Sequence, residues 1–393
     1  MKKTLLFLAT LTLGVACSKN LSQTTEEPQW DGPTGKLLVK IGTGADTKVA
    51  DVDMQEHKVN NVQVFIFDTD GKLETDKYAK ISNGSATPVV ELISRIGQKT
   101  VYTICNAPRL HYRQLSDLEG ALSDLADNKV NNLVMSGKKV VDVEEFDNNS
   151  STGLATQFTV YVKKLAAAIQ LGKVQANFTA TDLEGSTFKL KEIYVKNVVG
   201  RAPYGVQTEG DDGSVDKSKG LPNLLLNTDR INSDYWYNKI TLDSTPLPLT
   251  VDVCNLTSFT STGAMANYPT PPVQATIVDV NHTLYVYPNS TVADPESVPG
   301  ISAGDYTPRH TRLVLHALIT ASSTSAASFV DKDFYYTFDL PVLEANKKYK
   351  VNVVITMLGK ENDNDDSKTL SGQAKPVISV SDWDSTTTLT YDM

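Results

Sequence analysis

The residues best placed by type and spacing to do chemistry stand at the start of the chain. Lys2 and Lys3 precede an apolar run through Leu13 that closes on Gly14-Val15-Ala16-Cys17. A charged start, a short apolar middle and a small-residue end make a secretory signal peptide. The run is shorter than the roughly 20 residues that span a bilayer. Leu13-Gly14-Val15-Ala16-Cys17 has the form of a bacterial lipobox, in which the cysteine thiol is acylated and becomes the mature N-terminus. The chemistry expected at Cys17 is therefore lipidation, with export and attachment to a membrane through acyl chains. The bland alternative is an ordinary leader with an incidental cysteine. Residues 18–34 are polar, carry Pro28 and Pro33, and read as a flexible tether behind the leader.

The other reactive side chains make no catalytic set. Cys105 and Cys254 are the remaining cysteines. They allow one disulfide in an oxidising compartment, but Cys105 ends the apolar run Val101-Tyr102-Thr103-Ile104 and equally suits a buried free thiol. The five histidines, at 57, 111, 282, 310 and 316, show no ligand spacing. His310 and His316 on one strand would lie roughly 20 Å apart, too far for a common metal, and read as a surface and an edge histidine. Asp68-Thr69-Asp70-Gly71 opens like a calcium-binding loop. It lacks the downstream acidic ligands and follows a strand instead of a helix, so it reads as a hairpin turn. Glu361-Asn362-Asp363-Asn364-Asp365-Asp366 reads as a solvated loop before it reads as a cation site. There is no Gly-x-Ser-x-Gly, no His-Glu-x-x-His and no phosphate-binding glycine loop. An enzyme is not expected, nor a metal or cofactor. Tyr235-Trp236-Tyr237 is the one aromatic cluster in a loop-rich setting, and it serves either glycan binding or core packing.

The elements that would position these residues are strands. Of 393 residues, 40% are hydrophobic and 8% aromatic, which suits a folded protein. The length exceeds one comfortable core and favours two domains. A net charge of −9 argues against nucleic acid as a partner. Leu37–Ile41, Val62–Phe67, Pro88–Leu92, Lys99–Ile104, Phe158–Val162, Ala166–Leu171, Lys189–Val199, Ile240–Leu242, Leu284–Tyr287, Thr311–Ile319, Tyr335–Phe338, Tyr349–Leu358 and Pro376–Val380 all read as strands between turn-rich spacers. Leu115, Leu118, Leu122 and Leu125 at helical spacing predict one short helix. The class is all-β, two tandem sandwiches, divided into residues 35–161 and 162–393. No internal repeat is visible.

Taken in order, these segments resemble a family, the fimbrillins that build the type V pilus of Bacteroidia, and most nearly its FimA-type major, stalk-forming subunits. The resemblance rests on the lipobox at Cys17, Val62–Asp68 with its Asp-Gly turn, Val101–Pro108, Leu133–Gly137 and Val162–Ala167. It continues through Tyr285–Asn289, Asn346–Gly359 and the terminal Val380-Ser381-Asp382-Trp383. It implies two transthyretin-like β-sandwich domains, the first with a short helix, and a role in adhesion and colonisation. It implies a lipoprotein precursor carried to the outer membrane, then cut by a surface protease after a basic residue that follows the first strand. That strand leaves, and a neighbour's C-terminal strand fills the groove. Mapped here, the leaving strand holds Leu37, Leu38, Val39 and Ile41, and the cut falls at Lys48 in the polar loop after it. The family's usual site is an arginine, whereas this chain has none before Arg95. The donor positions are Ile378, Val380, Leu389 and Tyr391, with the stretch beyond Trp383 the better candidate. Implied partners are other copies of the chain, other fimbrial subunits, the processing protease and the outer membrane. Two alternatives are an anchor or tip subunit that keeps its lipid, and a glycan-binding surface lipoprotein.

Overall fold

The computed structural model describes residues 32–43, 54–129, 131–146, 155–178, 181–196, 198–199, 201–206, 236–241, 259–261, 282–289, 311–323, 325, 327–362, 374–383 and 388–392. The first part of the chain forms β1 (Thr34–Gly42), β2 (Val59–Phe67), β3 (Leu73–Ser85), β4 (Val89–Arg95) and β5 (Gly97–Cys105). Then come α1 (Leu115–Gly120), β6 (Leu122–Asp124), β7 (Met135–Val143), β8 (Thr156–Tyr161) and β9 (Lys163–Lys164). A five-stranded sheet in the order β3-β2-β5-β7-β9 packs against a three-stranded sheet, β4-β1-β8. Alternation decides which side chains meet between them: Val62, Val64 and Ile66 of β2 join Leu37, Val39 and Ile41 of β1 and Val90 and Leu92 of β4. The other face of β2 is also covered. Phe65 and Phe67 pack with Leu118 of α1 and with the core of the second half, which is why Val62–Phe67 is buried without a break.

The second part forms β10 (Ala167–Ala176), β11 (Thr187–Lys196), β12 (Arg201–Pro203), β13 (Trp236–Thr241), β14 (Phe259–Ser261) and β15 (His282–Val286). It continues with β16 (Arg312–Thr320), β17 (Asp331–Asp339), β18 (Lys347–Ile355), β19 (Ala374–Asp382) and β20 (Thr388–Asp392). Two sheets, β15-β10-β18-β19-β20 and β13-β11-β16-β17, enclose Ile169, Phe188, Leu190, Leu315, Tyr336, Val351 and Ile378. The fold is thus all-β, two sandwiches in tandem. They share a seam: β6 pairs with β12, Tyr102 and Ser136 each donate a hydroxyl to the Tyr204 carbonyl at 2.7 Å, and Tyr287 donates to Ser123 at 2.8 Å.

A repeat invisible in the residues appears in the topology. β1 lies between an antiparallel partner, β4, and a parallel one, β8. β10, which opens the second sandwich, lies between antiparallel β15 and parallel β18. Backbone pairing repeats without any repeat of side chains, because a ladder is made by peptide groups that every residue carries.

Three local expectations meet the structure differently. The turn after β2 forms as expected: Gly71 takes φ 73°, and the Asp68 carboxylate accepts the N–H groups of Asp70 at 3.0 Å and Lys72 at 2.8 Å. The helix is shorter than its leucine spacing predicts. It stops at Gly120, and Leu122–Asp124 leave to pair with β12 while Leu125 turns into the core; tertiary pairing overrides a weak helical preference. His316 is a correction. It is buried on β16, an interior strand between β11 and β17, not at an edge, and its Nδ1 and Nε2 lie 2.7 Å and 3.0 Å from the carboxylates of Glu192 and Asp333. Its two nitrogens thus face different carboxylates on neighbouring strands β11 and β17.

Cys105 carries a free thiol buried between the sheets of the first sandwich. Desolvation holds its pKa well above the ordinary thiol range. A thiol reagent added to the folded protein is therefore expected to leave Cys105 unmodified, and to label it only as the first sandwich unfolds in denaturant. Labelling at Cys105 below the unfolding transition, mapped by mass spectrometry, would contradict this packing. Cys254 lies outside the described residues.

Candidate assembly site

β1 is the middle strand of the smallest sandwich sheet. Thr34–Lys40 pair in register with Arg95–Val89 of β4, and Leu37–Gly42 with Thr156–Tyr161 of β8. Neither β4 nor β8 has another ladder partner among the described residues. Bonds beyond the ladders pin both ends: the Phe146 N–H donates to the Thr34 carbonyl at 3.0 Å and the Val162 N–H to the Gly42 carbonyl at 2.9 Å.

The two faces of β1 differ. Leu37, Val39 and Ile41 are fully buried, Leu38 is half-buried on the outer face, and Lys40 is exposed. Each inward side chain is worth roughly 1.5–3 kcal/mol of burial. Gly35 shares the inward parity at the start of the row. A Cβ there would stand 2.2 Å from the Glu144 carbonyl oxygen and 2.4 Å from Val143, so that slot admits only hydrogen. β1 meets this slot with Gly35, followed by Leu37, Val39 and Ile41 at alternate positions. Cys17 and Lys48 lie outside the described residues.

The C-terminal segments sit in the other sandwich. β19 pairs with β18 on one side and β20 on the other. Ile378 is fully buried in the second core, and Val380 packs partly buried against it. Leu389 stands opposite Val380 and Tyr391 opposite Ile378, on β20, whose sole ladder partner among the described residues is β19. The four expected donor positions thus fall on two strands of unlike standing, an interior one and an edge. Of the aromatic cluster, Trp236 and Tyr237 begin β13, and Tyr235 lies outside the described residues, as does Asp363–Asp366 of the acidic loop. Glu361 of that loop pairs with Lys332 at 2.5 Å.

Sequence reading did not find the parallel partner of β1, which lies more than a hundred residues downstream, because a parallel crossover leaves no local turn signal. It also assigned no role to Glu56 and Lys164, which are buried charges. Their burial has no periodic signature.

Fold and site together define a tandem β-sandwich protein whose first strand completes a sheet of three. Residues 36–186 match the family model described as major fimbrial subunit protein (FimA). That family is one of structural fimbrial subunits of the cell surface, not of enzymes. No curated protein matches the chain. Among solved structures, a fimbrilin (FimA) from Porphyromonas gingivalis is 14% identical, with 89% of this chain and 98% of that chain covered and a TM-score of 0.52. Two proteins from Parabacteroides distasonis, provisionally described as cell adhesion proteins, are 16% and 19% identical, with TM-scores of 0.56 and 0.55. Each covers 89% of this chain, and 97% and 99% of their own lengths are matched. At such identities the likeness is one of fold. The fimbrillin resemblance is thereby shown by sequence over residues 36–186, and the solved structures share the fold.

Proposed function

We propose that this chain is a structural pilus subunit of the stalk type, secreted as a precursor lipidated at Cys17, cut at Lys48, and polymerised when β1 leaves and the tail of a neighbour replaces it. One observation carries the reading: β1 is the only ladder partner of both β4 and β8 among the described residues. Its loss leaves two strands with unpaired N–H and C=O groups on facing edges and an apolar floor of Val62, Val64 and Ile66 beneath the gap, bordered by Val90 and Leu92 of β4. Edges of that kind are templates for another chain, and a strand inserted there satisfies both at once. The donor is the segment after Trp383, with Leu389 and Tyr391 as inserted side chains. In this reading Ile378 and Val380 stay in their own subunit, because withdrawing Ile378 would open the second core. The domain division is taken between residues 161 and 162.

The test is the N-terminus and mass of protein sheared from the cell surface. Processed stalk starts at Val49 and runs as a high-mass ladder on mildly denaturing gels. A lipidated Cys17 in the final product, with no ladder, rejects the stalk and makes the chain a membrane anchor.

A further inference from the structure

One buried carboxylate joins three parts of the chain that assembly would have to move together. Glu56 is in the short 3-10 turn Met54–His57, directly after residues 44–53 and hence after the loop that holds Lys48. Its side chain is almost fully enclosed. Oε1 accepts the Tyr285 hydroxyl at 2.9 Å, and Oε2 accepts the Lys348 ammonium at 2.6 Å and the Trp383 indole N–H at 2.9 Å. Tyr285 and Lys348 stand in one row of the second sandwich, each in register with Ala168 between them, whose methyl leaves room above the sheet. Trp383 is the last described residue before β20. Its ring stacks on Tyr285 with centroids 6.0 Å apart, lies under the Lys164 and Lys348 ammonium groups at 4.9 and 5.2 Å, and its backbone N–H donates to the Asn346 carbonyl at 3.0 Å.

The same turn is fastened to the end of β1. His57 Nδ1 lies 2.8 Å from the carbonyl oxygen of Thr43, the residue that follows β1, and both residues are buried. A carbonyl only accepts, so Nδ1 carries the proton there. Thr43 in turn donates its hydroxyl to the Ala86 carbonyl at 3.0 Å. If β1 departs after a cut between residues 44 and 53, Thr43 departs with it, and the residue beside Glu56 loses a buried partner.

We propose that Glu56 is a latch that holds Trp383, and through it the root of the C-terminal tail, docked on its own subunit while β1 is seated. Departure of β1 strains the latch through His57 and frees residues 384–393. The inference rests on the stalk reading for the departure of β1 and for the tail's destination. It supplies a regulation that reading lacks: an uncut subunit keeps its donor at home, so fibre growth draws only on processed copies.

The test is amide hydrogen exchange of the full-length, unpolymerised precursor, read by mass spectrometry on peptides covering 388–392. Glu56→Ala removes the shared acceptor, and Trp383→Phe keeps the stacked ring but deletes the indole donor. His57→Phe fills the same space without the bond to Thr43. Loss of a buried charge-assisted bond is expected to speed exchange in β20 by roughly ten- to a hundredfold in Glu56→Ala. The other two variants are expected to move in the same direction by less. β10 and β18 should stay at the wild-type rate, which shows that the second sandwich is folded. If Glu56→Ala does not fold, Trp383→Phe and His57→Phe decide. Wild-type exchange at 388–392 in the folded variants overturns the latch, and wild-type exchange in His57→Phe alone overturns its link to β1. Because exchange is read before any polymer forms, faster tail exchange with no fibre after processing keeps the latch and rejects the donor. Normal fibres with unaltered exchange do the reverse.

Discussion

A chain lacking residues 384–393 is expected to fold, to be processed, and to form no fibre. The structure separates these outcomes. Among the described residues β20 is an edge strand, and its removal uncovers one side of β19 without breaking the pairing of β19 with β18 or moving Ile378 out of the core. Stability should fall by no more than about 1–3 kcal/mol, the ordinary cost of a peripheral change. Polymer yield should fall to nothing, since the deleted stretch carries the proposed donor positions Leu389 and Tyr391. The measurement is a pair of assays on one preparation: denaturant unfolding of the monomer, and gel or microscopy detection of high-mass species after processing. Fibres of normal abundance would reject the tail as donor. An unfolded monomer would mean that β20 completes the second sandwich more deeply than its edge position indicates.

The second large effect concerns the inward row of β1. Val39→Asp places a carboxylate among the apolar side chains of Val62, Val64, Ile66, Val90 and Leu92. An unpaired buried charge is among the few single changes that exceed about 4 kcal/mol. The first sandwich of the precursor should therefore unfold at much lower denaturant, with Cys105 becoming reactive in the same transition, because its thiol lies in that same cluster. Lys40→Ala, one residue on and facing outward, should change stability by only about 0.5 kcal/mol. The strand-exchange reading adds a sharper expectation. Once β1 has been removed, Val39 is no longer part of the fibre. Polymer built from whatever Val39→Asp precursor survives to be processed should be as stable as wild type. A fibre weakened by Val39→Asp would show that β1 stays in the assembled subunit.

Much of this was legible in the residues. The alternation of Leu37, Val39 and Ile41 against Leu38 and Lys40 announces a strand with one buried face, and Asp70-Gly71 announces the turn that ends β2. The leucines at 115, 118, 122 and 125 misled, because helical spacing is a weak preference that pairing between β6 and β12 overrides. His316 read as an edge residue because the strands that flank it, with its carboxylate partners Glu192 and Asp333, are distant in sequence.

The sequence by itself determined the all-β class, the strand at Leu37–Ile41, and the kinship of residues 36–186 with the fimbrillins. These are local or compositional properties: a run of apolar residues, a period of two, motifs read in order. Only the tertiary structure decided that β1 is a middle strand held between β4 and β8, that Leu389 and Tyr391 lie on an edge while Ile378 lies in a core, and that Glu56 meets Trp383 across the length of the chain. The physical reason is that ladders and buried polar contacts join segments far apart in sequence. Their partners are chosen by which faces are left to cover once every sheet has closed, and no local pattern records that choice.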